Sequence, residues 1–204
     1  MNPLGTPPHG LSIPQELWDR VGEAYAAPGR AYHGIHHVVS VLRTYDEVAR
    51  DQGWIHPSEV FLALVYHDAI YSPGAADNEE RSAAFARREI ERWFPPRTLD
   101  EEMVGRFIQL TAHHGSLERG AVTKEEALFL DCDTAILGAP PGEFDEYDRE
   151  IAVEYSALPG DVFERGRRAF LARLLAKDHV FLSDFFEKRL GDAARGNLRR
   201  RLQS

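Results

Sequence analysis

The segment VFLALVYHDAIY, from Val60 to Tyr71, is apolar on every side for two helical turns and ends in a histidine beside an aspartate. This pattern predicts a fully buried helix over 57–71. Burying His67 and Asp68 is costly unless a partner compensates them. A metal cation does so, because a neutral imidazole nitrogen and a carboxylate oxygen are both metal ligands. A His–Asp hydrogen bond that caps the helix end is the competing interpretation.

The rest of the chain also has a helical pattern. Apolar residues recur at helical spacing nearly throughout, and strict alternation over the length of a strand is rare. We therefore predict an all-α protein of ten helices, the last two over 179–190 and 192–203. The length of 204 residues fits one domain. We predict a disordered lead-in over 1–13 and one all-α domain over 14–204.

Composition and charge exclude several classes of function. The net charge of −9 disfavours a nucleic acid polymer as partner. The longest apolar run, Val60 to Tyr66, is much shorter than the roughly 18 residues that a membrane-spanning helix needs. Cys132 is the only cysteine, so no intramolecular disulfide forms, and the first ten residues lack the features of a secretory signal. We therefore expect a cytoplasmic protein whose partner is a small molecule, not a nucleic acid or a membrane.

Two histidines precede the central segment at helical spacing. In AYHGIHHVVSVLRTYDEV, residues 31–48, the apolar stripe extends backwards through His37 and His33, whereas His36 falls on the polar face. Two imidazoles on adjacent turns can reach one metal ion or one anion. The zincin motif HExxH does not match, because Gly34 stands in place of its glutamate. Histidines that only pack or cap are the alternative.

Two later helices each carry one polar residue on the apolar stripe. Glu79 lies on such a stripe, whereas Glu80 lies on the polar face. Glu79 is a candidate general acid or base, or a partner of a ligand histidine. A first-turn acid favoured by the helix dipole is the alternative. In the next helix His114 continues the apolar stripe and His113 does not.

The segment EEALFLDCDTAILG, residues 125–138, places Asp131 and Asp133 in an apolar helix, and periodicity does not separate the two. Further along, Arg167 and Arg195 lie on the apolar stripes of their helices. An inward arginine binds a phosphate group as a planar fork of donors. Ion pairs at the surface or between helices are the competing interpretation for both arginines.

Two histidines, an HD pair and a distant aspartate in an all-α chain resemble the HD-domain superfamily of metal-dependent phosphohydrolases. The chain is similar in particular to the predicted HD phosphohydrolases with the pattern YHxxxHV, HD, NExSA, TxxH, DxD and ARxNL. The matching residues are Tyr32-His33 with His37-Val38, His67-Asp68, Asn78-Glu79 with Ser82-Ala83, Thr111 with His114, Asp131 with Asp133, and Ala194-Arg195 with Asn197-Leu198. One departure is Ala152, which precedes Val153, Glu154 and Tyr155 where the subgroup often has an arginine.

The resemblance implies an HD-domain-like helical bundle with a metal site in its core. It implies one or two divalent ions per chain, drawn from Mn, Fe, Co, Ni, Zn or Mg. The implied metal ligands are His37, His67, Asp68 and Asp133. Further ligand candidates are His33, His114 and Asp131, the last as a competitor of Asp133. The expected catalytic residues are Asp68 and Glu79. The expected substrate contacts are His33, His114, Arg167 and Arg195.

We therefore predict a metal-dependent phosphohydrolase that acts on a small phosphate ester through a metal-activated water, nucleotides being one class. Two alternatives stay open. A di-iron oxygenase of the same superfamily needs extra histidines, which His113 and His114 would supply. A non-catalytic metal- or nucleotide-binding module needs no turnover. The sequence does not identify the substrate, the metal or the oligomeric state, and a homo-oligomer is one of the possible states.

Overall fold

The computed structural model describes residues 6–204. Over that range the chain forms nine α-helices and two short 3₁₀-helices and contains no strand, so the all-α prediction is confirmed. Within it, no helix has both the length and the apolar character needed to cross a membrane. The helices form two compact units, one up to residue 113 and one over 114–204. The single domain over 14–204 stays a prediction.

The predicted lead-in is described only in part. Residues 1–5 lie outside the described residues. From residue 6 to Pro14 the chain has no helix, and one turn closes where the Leu11 N–H donates to the Pro8 carbonyl. The first helix then begins at Gln15.

The first unit is built around one central helix. Its elements are α1 (Gln15–Tyr25), α2 (Ile35–Asp51), α3 (Pro57–Tyr66), α4 (Asn78–Trp93), α5 (Glu101–Leu110) and a 3₁₀-helix over Thr111–His113. All seven residues from Val60 to Tyr66 are buried, and α2, α4 and α5 pack against them. Burying one such large apolar side chain contributes about 1.5–3 kcal/mol, so α3 supplies much of this core. The predicted central helix is confirmed.

The α3 helix ends at Tyr66, five residues before the predicted end, so that boundary is wrong. The backbone N–H groups that follow bind side chains from other helices. The Asp68 N–H donates to the Tyr25 hydroxyl of α1, and the Ile70 N–H donates to Ser82 Oγ of α4. These distant acceptors replace helix carbonyls, which lets the chain turn directly after His67.

The second unit contains four α-helices and a 3₁₀-helix. They are α6 (Lys124–Thr134), a 3₁₀-helix over Ala135–Gly138, α7 (Pro141–Glu154), α8 (Gly160–Ala176) and α9 (Asp184–Gln203). A capping box of Thr123 and Glu126 begins α6. The α9 helix packs against α6, α8 and the 3₁₀-helix. A Cβ added at Gly138 would lie 2.6 Å from the Leu190 Cβ, so this close approach requires glycine.

The two predicted C-terminal helices are one helix, and the predicted break at residue 191 is wrong. Gly191 is buried inside α9 and does not interrupt it, because glycine lowers helix propensity by only about 1 kcal/mol. The predicted start at 179 is also wrong. The helix begins at Asp184, where the Ser183 hydroxyl accepts the Phe186 N–H as an N-cap.

Candidate metal centre

Three predicted ligand side chains meet in the first unit, and we call them the His–His–Asp cluster: His37, His67 and Asp68. The His37 and His67 Nε2 atoms are 3.0 Å apart. Asp68 Oδ2 lies 3.0 Å from His67 Nε2 and 3.7 Å from His37 Nε2. The imidazoles are 2% and 1% exposed, so water compensates these polar atoms little.

The α2 helix places His37 in its first turn, on the buried face. His36, one residue earlier, is exposed, so the predicted facing of this pair is confirmed. The stripe that buries His37 continues through Val38, Val41 and Leu42, all of which are core residues. The apolar period of the helix therefore fixes the direction of the imidazole.

The end of α3 fixes the protonation pattern of His67. Its Nδ1 lies 2.8 Å from the Leu64 carbonyl oxygen. A carbonyl oxygen only accepts hydrogen bonds, so Nδ1 carries a proton, and it is the Nε2 lone pair that a neutral His67 ring presents to the cluster. A histidine whose second nitrogen binds a backbone carbonyl in this way is oriented as metal-bound histidines are.

A divalent cation fits the three ligand atoms. A triangle with edges of 3.0, 3.0 and 3.7 Å has a circumscribed circle of about 1.9 Å radius. Bonds from Zn²⁺ to nitrogen or oxygen ligands are about 2.0–2.2 Å long, so one point lies at bonding distance from all three atoms. The mixed N and O donors suit Mn, Fe, Co, Ni or Zn.

Arg30, which the sequence analysis missed, ties together the two backbone segments that carry His33 and Asp68. Its Nη1 donates to the His33 carbonyl at 2.6 Å and to the Asp68 carbonyl at 2.8 Å. Its Nη2 donates to the Ala69 carbonyl at 2.9 Å. Arg30 lies in a loop and acts on backbone atoms, so neither periodicity nor a motif indicated it.

His33 lies on the more exposed side of the cluster. Its Nε2 is 4.0 Å from Asp68 Oδ2, and its ring packs on Tyr71 with centroids 4.2 Å apart. The side chain is 19% exposed, in contrast to the two fully buried histidines. This position suits a substrate contact or an accessory ligand, the two roles predicted for it.

Glu79 is half-buried in the first turn of α4, and Glu80 is exposed, as predicted. The structure records no contact of Glu79 with the His–His–Asp cluster. Its neighbours in the NExSA motif have backbone partners instead. Asn78 binds the N–H and carbonyl of Ser72, and Ser82 Oγ binds the N–H and carbonyl of Ile70. Two residues of the motif therefore hold the segment that follows HD.

The second unit holds the other predicted ligands. His114 Nε2 lies 2.7 Å from Asp133 Oδ2. Asp131 accepts the Leu182 N–H on one carboxylate oxygen and the Ser183 N–H on the other, at 2.8 and 2.7 Å. Burial raises the pKa of Asp131 to about 6, although these hydrogen bonds oppose the rise. The two aspartates thus differ: Asp131 is bound to backbone and Asp133 to a histidine.

The two candidate arginines already have partners in the second unit. Arg167 Nε donates to Asp148 Oδ1 at 2.9 Å, and its guanidinium lies over the Tyr147 ring. Arg195 donates to the carbonyl oxygens of Lys177 and Asp178, just beyond the end of α8. These contacts match the competing interpretation of ion pairs and inter-helix contacts.

No protein-family model, curated protein or solved structure matches this chain. The resemblance to HD phosphohydrolases therefore depends on the sequence motifs alone and stays a prediction.

Proposed function

We propose that this chain is a metal-dependent phosphohydrolase acting on a small phosphate ester. The observation that supports the proposal best is the His–His–Asp cluster, where two buried Nε2 atoms and one carboxylate oxygen converge within 3.7 Å. A divalent cation bound there supplies an activated water and neutralises charge on the phosphoryl oxygens.

The proposed ligands follow from the donor atoms. His37 and His67 provide neutral nitrogens, and Asp68 provides the negative charge that a divalent cation needs. Asp133 is the fourth ligand that the resemblance implies, and it belongs to the second unit. The Leu64 carbonyl keeps the His67 Nε2 lone pair directed at the cluster, which removes one source of disorder before the cation binds.

Two further side chains have proposed roles toward the substrate. His33 is partly exposed and close to Asp68, so its ring N–H can donate to a phosphoryl oxygen. Glu79 is half-buried in the first turn of α4, which follows the HD segment, and we assign it the general acid or base role predicted from its place on the apolar stripe. His113 is exposed, which disfavours the di-iron alternative that needs it as a ligand.

The test is the metal content of protein purified without chelator, measured by mass spectrometry. We expect about one or two transition-metal ions per chain in the parent, none in Asp68→Ala, and the parental amount in the matched control His36→Ala. The metal-loaded parent should also release inorganic phosphate from a panel of phosphate monoesters, and Asp68→Ala should not.

Two results would contradict the proposal. A parent that is empty and takes up no Mn, Fe, Co, Ni or Zn on dialysis has no metal centre. A parent that binds metal but releases phosphate from no ester in the panel has a metal centre with a different function.

A further inference from the structure

In the first unit, two tyrosines set the direction of the His33 ring. The rings of Tyr71 and His33 have centroids 4.2 Å apart and are tilted by 31°, so the imidazole lies over the face of the phenol ring. Tyr32 forms a second wall, with its centroid 5.0 Å from that of His33 and its plane at 84°. Two neighbouring rings at such different angles restrict the plane of the imidazole.

This direction matters because His33 lies beside a proposed metal ligand. Its Nε2 is 4.0 Å from Asp68 Oδ2, which is beyond direct hydrogen-bond distance. The His33 side chain is 19% exposed, whereas the His67 side chain is 1% exposed. A substrate can therefore reach His33, and the value of the contact depends on how accurately the ring is aimed.

Two residues of the NExSA motif hold the backbone on both sides of Tyr71. Ser82 Oγ accepts the Ile70 N–H and donates to the Ile70 carbonyl, both at 3.0 Å. Asn78 accepts the Ser72 N–H and donates to the Ser72 carbonyl, both at 2.9 Å. Because Asn78 and Ser82 are buried in α4, water competes little for these hydrogen bonds. The motif thus fixes Tyr71 to a helix, although Tyr71 itself lies in a loop.

Arg30 joins Tyr71 to the segment that carries His33. Its guanidinium carbon lies 5.5 Å from the centroid of the Tyr71 ring. Its Nη1 donates to the His33 carbonyl at 2.6 Å and to the Asp68 carbonyl at 2.8 Å. The backbone is therefore fixed at both ends of the ring contact. What the contact with Tyr71 adds is the orientation of the His33 side chain.

We propose that Tyr71 is a positioning residue, which holds the His33 ring in the direction that the phosphate of the substrate requires. The inference rests on the proposed function for the phosphate. It goes beyond that function by giving Asn78 and Ser82 a role, since they hold Tyr71 in place. The face of the ring makes the contact, so phenylalanine should replace Tyr71 and alanine should not.

The first measurement is a double-mutant cycle in kcat/KM, with p-nitrophenyl phosphate and glycerol 3-phosphate as substrates. Tyr71→Ala should lower kcat/KM by about tenfold or more, because a misplacement of about 1 Å can cost about 100-fold. In a His33→Gln background the same substitution should change kcat/KM by less than about twofold, because the residue through which Tyr71 acts is gone. Tyr71→Phe should stay within about twofold of the parent, and the metal content should be parental throughout.

The matched control is Trp54→Ala. Trp54 is also half-buried and stacks on a tyrosine, Tyr45, with centroids 5.2 Å apart. It lies beyond the C-terminal end of α2, whereas His33 precedes the N-terminal end of that helix. Trp54→Ala therefore removes a stacked ring of the same unit but should keep kcat/KM within about twofold. Circular dichroism verifies that each variant is folded.

A second measurement needs no turnover. NMR of the full chain in the presence of a chelator detects the histidine ring protons, and His33→Gln identifies the His33 signal by its absence. This signal should be shifted upfield, because the protons lie over the face of the Tyr71 ring. The upfield shift should be lost in Tyr71→Ala and kept in Tyr71→Phe and Trp54→Ala.

Two results would overturn the assignment. One is a His33 signal that does not move in Tyr71→Ala. The other is a loss of kcat/KM that is as large in the His33→Gln background as in the parent, since Tyr71 would then not act through His33. The expected NMR shift in a chain that hydrolyses no ester would instead refute the phosphohydrolase and leave the orientation of His33 by Tyr71 standing.

Discussion

The histidines of the two units have different partners. In the second unit the His114 imidazole faces a carboxylate oxygen of Asp133 at 2.7 Å, so a donor meets an acceptor. In the first unit the His67 imidazole faces another imidazole at 3.0 Å and a carboxylate at the same distance. Because the Leu64 carbonyl accepts the Nδ1 proton of His67, the Nε2 atom of the neutral ring has a lone pair, and a proton on a neighbouring atom or a cation must lie between the three cluster atoms. The His114–Asp133 pair of the second unit satisfies its own hydrogen bond, whereas the His–His–Asp cluster of the first unit requires a proton or a cation.

Burial increases this difference. The side chains of His37 and His67 are 1% exposed, whereas that of His114 is 17% exposed. The carboxylates of Asp68 and Asp133 are equally exposed, at 15%. The difference in burial therefore lies in the imidazoles, which water compensates less in the first unit than in the second.

The largest expected effect separates the two histidine sites directly. His67→Ala should weaken metal binding by about 100-fold or more, because a four-ligand zinc site binds with about 10–16 kcal/mol, or about 2.5–4 kcal/mol per ligand. His114→Ala removes only the partner of a proposed ligand and should weaken metal binding less, by about tenfold, the lower end of the cost of such a loss. Competition with a chelating dye measures both affinities. Equal losses in the two variants would remove the contrast between the units.

The next prediction compares two adjacent histidines of α2. His37→Ala should lose as much metal affinity as His67→Ala, since each removes one buried ligand nitrogen. The exposed His36 is its control, and His36→Ala should keep the parental affinity within about twofold. If the two variants were equally damaged, the helical facing of the ligands would be irrelevant to metal binding. The same chelator competition gives both values.

A smaller effect tests how the first unit holds its ligands in place. Arg30→Lys keeps the positive charge but cannot reach three carbonyl oxygens with a planar fork. We expect metal affinity to fall by about tenfold, the usual cost of losing a group that orients a ligand, and the metal to dissociate faster. Arg43→Lys, at an exposed position of α2, is the control. An unchanged rate of metal release from Arg30→Lys would show that the hydrogen bonds of Arg30 do not hold the metal ligands in place.

The sequence predicted those parts of the site that one helix decides by itself. The uniform apolarity of α3 predicts its burial, and the period of α2 separates His37 from His36. Both outcomes depend on the residues within a single helix, where periodicity has a direct physical meaning.

Features decided by distant residues were not predictable. The end of α3 depends on the Tyr25 hydroxyl of α1, and the difference between Asp131 and Asp133 depends on N–H groups some fifty residues further along. The α6 helix around these aspartates is buried on most sides, so periodicity has no contrast to use. Arg30 binds carbonyl oxygens, which every residue has, and no sequence pattern marks them.

The smallest expected effect is on stability, and it compares two carboxylates of the first unit: Glu89, which lies outside the proposed metal centre, and Asp68, which belongs to it. Glu89 is 4% exposed in its side chain and binds Arg20 through both oxygens at 2.6 and 2.7 Å. Burial alone would raise the pKa of Glu89, but hydrogen bonds from Arg20 and Trp93 outweigh it and lower this pKa. A lowered folded pKa stabilises the fold above about pH 4.5, the unfolded value, and that stabilisation is lost as the pH falls through the folded value.

Glu89→Gln should therefore destabilise the metal-free protein by about 1 kcal/mol at pH 7, a value reduced by the solvent exposure of Arg20. The difference from the parent should shrink below about pH 4.5. Urea unfolding at pH 7 and pH 4, in the presence of a chelator, measures it. Asp68→Asn in the same experiment should destabilise the chelated protein less than Glu89→Gln at pH 7, because the Asp68 side chain is 15% exposed, whereas that of Glu89 is 4% exposed and bound by an arginine through both oxygens. A loss of stability in Asp68→Asn as large as that in Glu89→Gln would show that the cluster is held together by its own hydrogen bonds, and the contrast with His114 and Asp133 would disappear.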